Sequence, residues 1–580
     1  MNVIIDLNLL GKMGLKQLNE FQKRALDVIA SSNKNVILKA PTGSGKTEIA
    51  VYLMANSKDR VVFMSPLKAL SLQVYEKVKK YTDAVLVTGD EWIDPPKIKE
   101  RVVITTYEKF DSMIRHGTDL SPSLIIIDEI HNISNRPAIE NAVTYALLKK
   151  IRVIAMSASI GNVEKLKQWL DAELVEDKVR KVPLYIYVKS GRKIFGDPKY
   201  LKEMRDPIDF AVKRGKPVLV FARSRFDVQK VYKQFKQKYG DLVTSFHGGL
   251  DPETRVKIIH EIERKEKLIV VSTTALGQGV NLPIWMVYFN DMSLPVIEDH
   301  SLKGWRPLTK NEFDQIAGRA GRPGFDEDGV VVIEAKNDTD LERKIDMYID
   351  ADNEKIVGSG DLYNFIMFLL VLSPLSLKEI MDYLSRSLSF RDTLEEEVEE
   401  VLAQLEGSSL IEEKDGKYHL TEIGKVIMTS YLDAESAVYY LPRLSGIKRI
   451  ESILFLVSNS PKVKEVARGK DVTRLILQWV NGRDPDVTFM FTKKDFYIVK
   501  DVAEWQAYSL FKLCEVTKKC DAVTSYLAYE MIKYGVPATG IEFAKKMSRR
   551  EVIELLDRGI TTLDELCKKG DKEKIDRFCL

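Results

Sequence analysis

Three short stretches hold side chains suited to handling phosphate. The first, "APTGSGKT" (Ala40 to Thr47), follows the apolar run "NVILK" and precedes the helix-like "EIAVYLMA". Glycines in such a place let backbone N–H groups converge on anionic oxygens beside the positive end of a helix. Ala40, Pro41, Thr42, Gly43, Ser44 and Gly45 would form the cradle, Lys46 would reach the β- and γ-phosphates, and Thr47 would ligate magnesium. The second stretch, "LIIIDEIHN" (Leu124 to Asn132), runs aliphatic residues straight into two carboxylates and a histidine. Buried charge is costly unless it is paired or holds something. Asp128 suits the magnesium shell, and Glu129 suits orienting and deprotonating an attacking water. His131 lies beyond them, placed to sense the nucleotide. An acid pair after a strand is by itself often a helix cap; behind a phosphate loop it points to ATP hydrolysis with Mg2+. The third, "QIAGRAGRPG" (Gln315 to Gly324), sets Arg319 and Arg322 on one helical face. There they would neutralise charge developing on a γ-phosphate. "SAS", Ser157 to Ser159, is a weaker sign that would relay between His131 and the cleft.

Such groups need rigid strand tips to hold them. "NVILKA", "RVVFMSP", "RVVITT", "SLIIID" and "RVIAMSA" are near-continuous apolar runs, as expected of parallel strands buried on both faces. A second series, "KPVLVFAR", "KLIVVSTT", "WMVYFND" and "GVVVIEA", implies another α/β layer of similar size, the two meeting between Asp171 and Lys213. After about Asp346 the strand pattern stops. "LSLKEIMDYL", "LEEEVEEVLAQLEGSSLI" and "EEKDGKYHLTEIGKVI" read as helix, helix and a hairpin turning at Asp415-Gly416, the order of a winged helix. From about Asp433 the chain reads as helical.

Composition bounds the rest. At 580 residues the chain has room for about four domains of ~150 residues. No apolar run approaches the ~20 residues of a membrane span, and the N-terminus lacks the basic head and apolar core of an export signal. A cytoplasmic protein is expected. The net charge of +3 gives no compositional support to a nucleic-acid role, so any basic surface must be local. The charged fraction of 30% exceeds the usual ~25% and leans towards a thermophile. Cys514, Cys520, Cys567 and Cys579 match no zinc or iron–sulfur spacing; free thiols are expected, with a thermophile's disulfide as the alternative.

The order APTGSGKT, SPLKAL, TGD, DEIH, SAS, FARSR, STTALGQGVNLP and QIAGRAGRPG resembles a superfamily 2 helicase. It is similar in particular to the superkiller-type group with a DEIH box and, within it, to the archaeal 3′–5′ DNA repair helicases. "HGGLDPETR" and "TTALGQGVNLP" favour that group over DEAD-box proteins. The resemblance implies two tandem RecA-like parallel-sheet domains, then a winged helix and an all-α helical bundle. Expected boundaries are 1–190, 191–345, 346–432 and 433–535, with a small helix–loop–helix tail at 536–580. Gln22 matches the adenine-reading glutamine, Gly277 and Gly279 the residues flanking ribose and phosphates, and Gln315 the glutamine facing the γ-phosphate. Pro66, Gly89, Thr105, Arg223 and Thr273 fall where the family grips the nucleic-acid backbone. Ser159 replaces the common threonine and Ala40 the first glycine, both small-for-small.

The same resemblance implies a strand-splitting β-hairpin over about 295–313, with its tip at Lys303-Gly304. His300, Trp305 and Arg306 are there to stack on an unpaired base, or Trp305 merely packs. "DFYIVKDVAEWQAYSLFKL" is similar to the long ratchet helix, with Trp505 as its base-stacking tryptophan or as core filler. Ile498 stands where an arginine would grip the strand, with Lys500 nearby. In the tail, Arg549, Arg550 and Lys568 would hold phosphates or form a solvated basic face. The implied partners are single-stranded and forked DNA, bound by a monomer. An RNA helicase of the same group and an ATP-switched clamp remain alternatives, and the lack of a large insertion after Arg322 favours DNA.

Overall fold

The computed structural model describes residues 5–569 apart from 16, 90–92, 94–96, 119, 181, 247–251, 274–283, 299–300, 322–325 and 488–490. The five apolar runs of the first series are strands: β1 (Asn35–Lys39), β2 (Val61–Ser65), β4 (Val102–Thr106), β5 (Leu124–Ile127) and β6 (Arg152–Ser157). With β3 (Ala84–Val87) and β7 (Ala172–Glu176) they form a seven-stranded parallel sheet, order β3-β4-β2-β5-β6-β1-β7. Every residue of β2, β4, β5 and β6 is buried, because helices cover both faces. The unforeseen β3 and β7 are edge strands, where half-exposure removes the continuous apolar signal.

A second seven-stranded sheet carries the second lobe. It joins β8 (Leu184–Ser190), β9 (Lys193–Gly196), β10 (Val218–Phe221), β11 (Val243–Phe246), β12 (Ile269–Ser272), β13 (Met286–Phe289) and β16 (Gly329–Ala335), in the order β11-β12-β10-β13-β16-β8-β9. The lobes therefore part in the segment 177–183, and the expected boundary at 190 leaves β8 on the wrong side. Between β13 and β16 stands the hairpin, β14 (Ser293–Glu298) paired antiparallel with β15 (Ser301–Pro307). Its tip is not Lys303-Gly304: Gly304 lies inside β15 opposite Val296, and Glu298 pairs with Ser301.

Six helices frame the cleft and its supports. In the first lobe these are α1 (Glu20–Ser31), α2 (Lys46–Asn56), α3 (Tyr107–Arg115) and α4 (Pro137–Leu148); α5 (Lys310–Ala317) belongs to the second lobe, and α6 (Leu362–Leu372) comes after it. The winged helix is then formed by Leu377–Ser385, Glu395–Gly407, a hairpin of Ile411–Lys414 with Lys417–Leu420, and Glu422–Ser430. Its turn is at Asp415 and Gly416, both with positive φ, as the dipeptide implied. The remainder is helical, dominated by the long helix Lys493–Thr517. Three cysteines do not stay free: Cys514, in that helix, is bonded to Cys520, and Cys567 is disulfide-bonded as well. No helix among the described residues is long and apolar enough to cross a membrane.

Packing divides the molecule unevenly. The face of the first sheet carrying Ile37, Val62 and Ile125 shares one continuous core with α6, the winged helix and the bundle as far as Leu566. The second lobe keeps two cores of its own, one on each face of its sheet. Buried polar contacts lock the larger body. Asp111 of α3 accepts from Asn141 (2.9 Å), Arg115 (2.7 Å) and the Tyr431 hydroxyl (2.6 Å). Glu140 of α4 accepts the backbone N–H groups of Leu388 (2.7 Å) and Ser389 (2.9 Å), and the Ser389 hydroxyl as well. Glu140→Ala would leave these buried donors without an acceptor, at about 1–3 kcal/mol each. Its expected result is a clearly lowered denaturant midpoint for the body formed by the first lobe and C-terminal half. Glu140→Gln, which keeps a carbonyl acceptor, should lose less.

Candidate functional site

The phosphate loop runs from the tip of β1 into α2. Gly43 and Gly45 have φ of 82° and 96°, which lets successive N–H groups turn inward. Gly45 has a second reason to lack a side chain: a Cβ there would lie 2.3 Å from the Gln22 amide nitrogen. Gln22 is itself buried, receiving the Asn19 N–H (3.1 Å) and donating to the Gly45 carbonyl (3.4 Å). Its amide therefore braces the loop rather than standing out from it. Asn19 adds a bond to the Ser44 carbonyl at 3.0 Å. Lys46 opens α2 and turns its ammonium onto the carbonyls of Ala40 and of Pro41, the latter at 3.1 Å. Burial pulls its pKa down, opposed by Glu129, Asp128 and Glu48. Thr47 is the next residue of α2, and the Ser44 hydroxyl is buried without a protein partner.

Asp128 and Glu129 leave the tip of β5, two strands across the sheet from β1, with β6 between. Glu129 takes a left-handed backbone, φ 48°, which breaks the strand and turns the chain into a short 3-10 helix. Three contacts hold this uncommon conformation. The Tyr107 hydroxyl donates to the Asp128 carbonyl, Asn132 donates to the Glu129 carbonyl at 2.9 Å, and the Asp128 N–H is received by Met64 at 2.9 Å. Burial, reinforced by Glu129 alongside, raises the Asp128 carboxyl to about 7, against the pull of Lys46. Burial also works against Glu129, but His131, Lys46 and Arg319 hold its carboxyl below the ordinary range.

β6 joins the two halves of this arrangement. The Ser157 carbonyl receives the Ala40 N–H at 3.1 Å, and the Ser157 hydroxyl lies 2.9 Å from His131 Nδ1. The same imidazole nitrogen is 3.3 Å from a Glu129 carboxylate oxygen. Ser157 further donates to the Ser159 carbonyl at 3.2 Å. Ser157 therefore touches both the histidine and the phosphate loop, and Ser159 braces Ser157.

The second lobe reaches this cleft through the end of α5. A Cβ on Gly318 would lie 3.4 Å from the Thr42 hydroxyl, so the backbone there meets the phosphate loop directly. Arg319 follows, close enough to Glu129 to lower its carboxyl pKa, and Gln315 is half-buried one turn earlier on α5. Arg322, Gly277 and Gly279 lie outside the described residues, as does His300. Hard oxygen donors from Thr47 and Asp128, beside a second carboxylate, fit magnesium held largely by substrate phosphates and water.

The expected nucleic-acid residues divide. Thr105 is 0% exposed and its hydroxyl bonds within the chain to the Thr106 carbonyl, so it offers no surface to a strand. Pro66 is buried just after β2, Gly89 follows β3 with φ 139°, and Thr273 is half-buried after β12. Arg223 and Trp305 do come together: the guanidinium lies 4.1 Å from the indole centroid, and Trp305 is 39% exposed. Arg306 beside it forms a two-pronged pair with Glu312 of α5 at 2.8 and 2.7 Å. Trp505 is half-buried and donates to the Ser430 carbonyl at 2.7 Å, tying the long helix to the winged helix. Ile498 packs against the core, and Lys500 pairs with Asp501 and Glu504. Arg549 packs over Trp479 and pairs with Asp484, a structural commitment. Arg550 faces Glu554, and Lys568 is exposed. Tyr107 and Asn132 were not foreseen: Tyr107 is remote in sequence from the acid pair, and Asn132, three residues after Glu129, acts on its carbonyl only through the 3-10 turn.

Comparison with known proteins agrees with this geometry. Residues 19–166 match the DEAD/DEAH box helicase family, and residues 199–324 match the helicase conserved C-terminal domain. "Putative helicase 7" of the Sulfolobus islandicus filamentous virus (isolate Iceland/Hveragerdi) is 36% identical, over 96% of this chain and 97% of that protein. The ATP-dependent DNA helicase Hel308 of Thermoplasma volcanium is 26% identical, over 81% of this chain and 76% of its own length. That of Methanocella arvoryzae is 29% identical, over 78% and 71%. The structure of Mycobacterium smegmatis helicase Lhr bound to ssDNA and AMP-PNP shares the fold, with TM-score 0.54 and 18% identity. That likeness covers 73% of this chain but 61% of that one, less than two thirds. A phosphate loop, an acid pair and a second lobe closing on both are here carried by a chain of matching length, and the protein belongs to the superfamily 2 helicases, in the DEIH-box group with the archaeal Hel308 enzymes.

Proposed function

We propose that this ATP-dependent helicase acts on DNA, moving 3′ to 5′ along a single strand and opening forked or tailed duplexes during repair or replication restart. The observation that carries the reading is the meeting of the lobes, with Gly318 against Thr42 and Arg319 within electrostatic reach of Glu129. Nucleotide bound between them would draw the lobes together, and hydrolysis would release them. In this reading Lys46 holds the phosphates, Glu129 orients and deprotonates the water, and His131 keeps Glu129 aimed. Gln315, Arg319 and Arg322 approach the γ-phosphate from the second lobe. Magnesium, held by Thr47 and Asp128, neutralises phosphate charge when bound.

The hairpin is proposed as the wedge. β15 runs straight into α5, and the Arg306–Glu312 pair braces that junction. Movement of α5 at the nucleotide would therefore be passed to Trp305. Arg223, stacked on Trp305, couples the wedge to the end of β10. The relatives named as DNA helicases and the short path from β16 to α6 support DNA over RNA. A monomer working in the cytoplasm, on the nucleoid, completes the proposal.

Glu129→Gln should cut DNA-stimulated ATP turnover about 10²–10⁴-fold, as loss of a general base does, while ATP binding persists. Strand displacement on a 3′-tailed DNA fork, run beside an RNA fork and that variant, tests the substrate. Equal activity on RNA would overturn the DNA assignment, and turnover without displacement would favour a clamp. Arg306→Ala should lower the base pairs opened per ATP consumed while strand-stimulated hydrolysis continues.

A further inference from the structure

Arg180 has no place in the helicase motifs, yet it touches the segment that brings Arg319 to the nucleotide. It sits in the segment 177–183 that joins the sheets of the two lobes. Its guanidinium donates to the carbonyls of Gly318 (3.2 Å), Gly321 (3.4 Å) and Ala320. These carbonyls follow the end of α5, where a helix leaves acceptors unsatisfied and a cation is favoured. No carboxylate pairs with Arg180 among the described residues, and burial alone lowers its pKa. A desolvated guanidinium without a counter-charge is stabilised only through such bonds, so its partners are fixed. The segment is pinned on its other side by the Gly321 N–H, which the Ile284 carbonyl receives at 2.9 Å.

We propose that Arg180 is a positioning residue for hydrolysis: from the joint between the lobes, it holds the Gly318–Gly321 turn so that Arg319 faces the γ-phosphate. A Cβ added to Gly318 would come within 3.4 Å of the Thr42 hydroxyl, so the space between this turn and the phosphate loop is about that of one small side chain. Lobe closure and arginine placement are then one movement. All three bonds come from one guanidinium nitrogen, so lysine, which carries its charge on a single but differently placed nitrogen, would keep part of this grip. The proposal rests on the reading of Arg319 as a group acting at the γ-phosphate.

The test compares the full-length protein with Arg180→Ala, Arg180→Lys, Arg319→Ala and the double alanine variant. Arg180→Ala should lower kcat for DNA-stimulated hydrolysis about 10²-fold, with KM for ATP nearly unchanged, as expected when a group acting in the transition state is displaced. It should also erase the preference of the DNA-bound protein for ADP with aluminium fluoride over ADP. Arg180→Lys should recover part of both, and the double variant should be no slower than Arg319→Ala. An Arg180→Ala protein altered only in KM, or losses that multiply in the double variant, would overturn the positioning role. So would slow turnover that accompanies a lowered unfolding midpoint while the aluminium fluoride preference is retained. Full turnover in Arg319→Ala would instead bring down the reading of Arg319 and this proposal with it.

Discussion

A buried lysine and two half-buried carboxylates drawn together at the tips of parallel strands are the constraint around which the first lobe is organised. Each alone would be costly to desolvate. Together Lys46, Asp128 and Glu129 offset part of that cost, and the remainder shows in Asp128, whose carboxyl is raised to about 7. Such a cluster requires rigid supports, and β1, β5 and β6 provide them as neighbours in the middle of the sheet. β6 is more than a spacer. One of its residues, Ser157, bonds the phosphate loop through its carbonyl and His131 through its hydroxyl. A shift of the loop on nucleotide binding would thus reach the acid pair through a single residue.

The same constraint explains why the second lobe is packed separately. In the proposed cycle the cluster is completed by Arg319 from the other lobe, and two sides that are to come apart cannot share one core. The first lobe, winged helix and bundle share a continuous apolar core reinforced by Asp111, Glu140 and Tyr431. The second lobe keeps cores of its own and meets the site with backbone and charge rather than a large apolar face. The proposed cycle would use the larger body as a platform and the second lobe, which carries the hairpin, as the part that shifts against it.

Legibility tracked burial. Strands covered on both faces announce themselves as unbroken apolar runs, so β1, β2, β4, β5, β6, β10, β12, β13 and β16 are readable from the chain alone. β3, β7, β8, β9 and β11 lie towards sheet edges, where side chains alternate or are polar, and the apolar pattern does not reveal them. The misplaced hairpin tip has a similar cause. Lys303-Gly304 has turn composition, but register is set by pairing along both strands, and it places Gly304 opposite Val296. The cysteine bridge was equally hidden, since spacing says nothing about whether Cys520 folds back onto the long helix. Tyr107 and Arg180 carry no local mark of function, because they act through carbonyls of distant segments.

What the sequence determined by itself is the chemistry: a phosphate loop, an acid pair and an arginine-bearing turn, each encoded within a few consecutive residues whose local geometry is self-contained. The two-layer α/β organisation and the winged helix were also within its reach, since both repeat short-range patterns. Only the tertiary structure decided which groups meet across the lobes, which aromatic side chains are committed to packing, and what braces the moving turn. Those outcomes depend on residues far apart in the chain being brought within a few ångströms, and no local pattern records that distance.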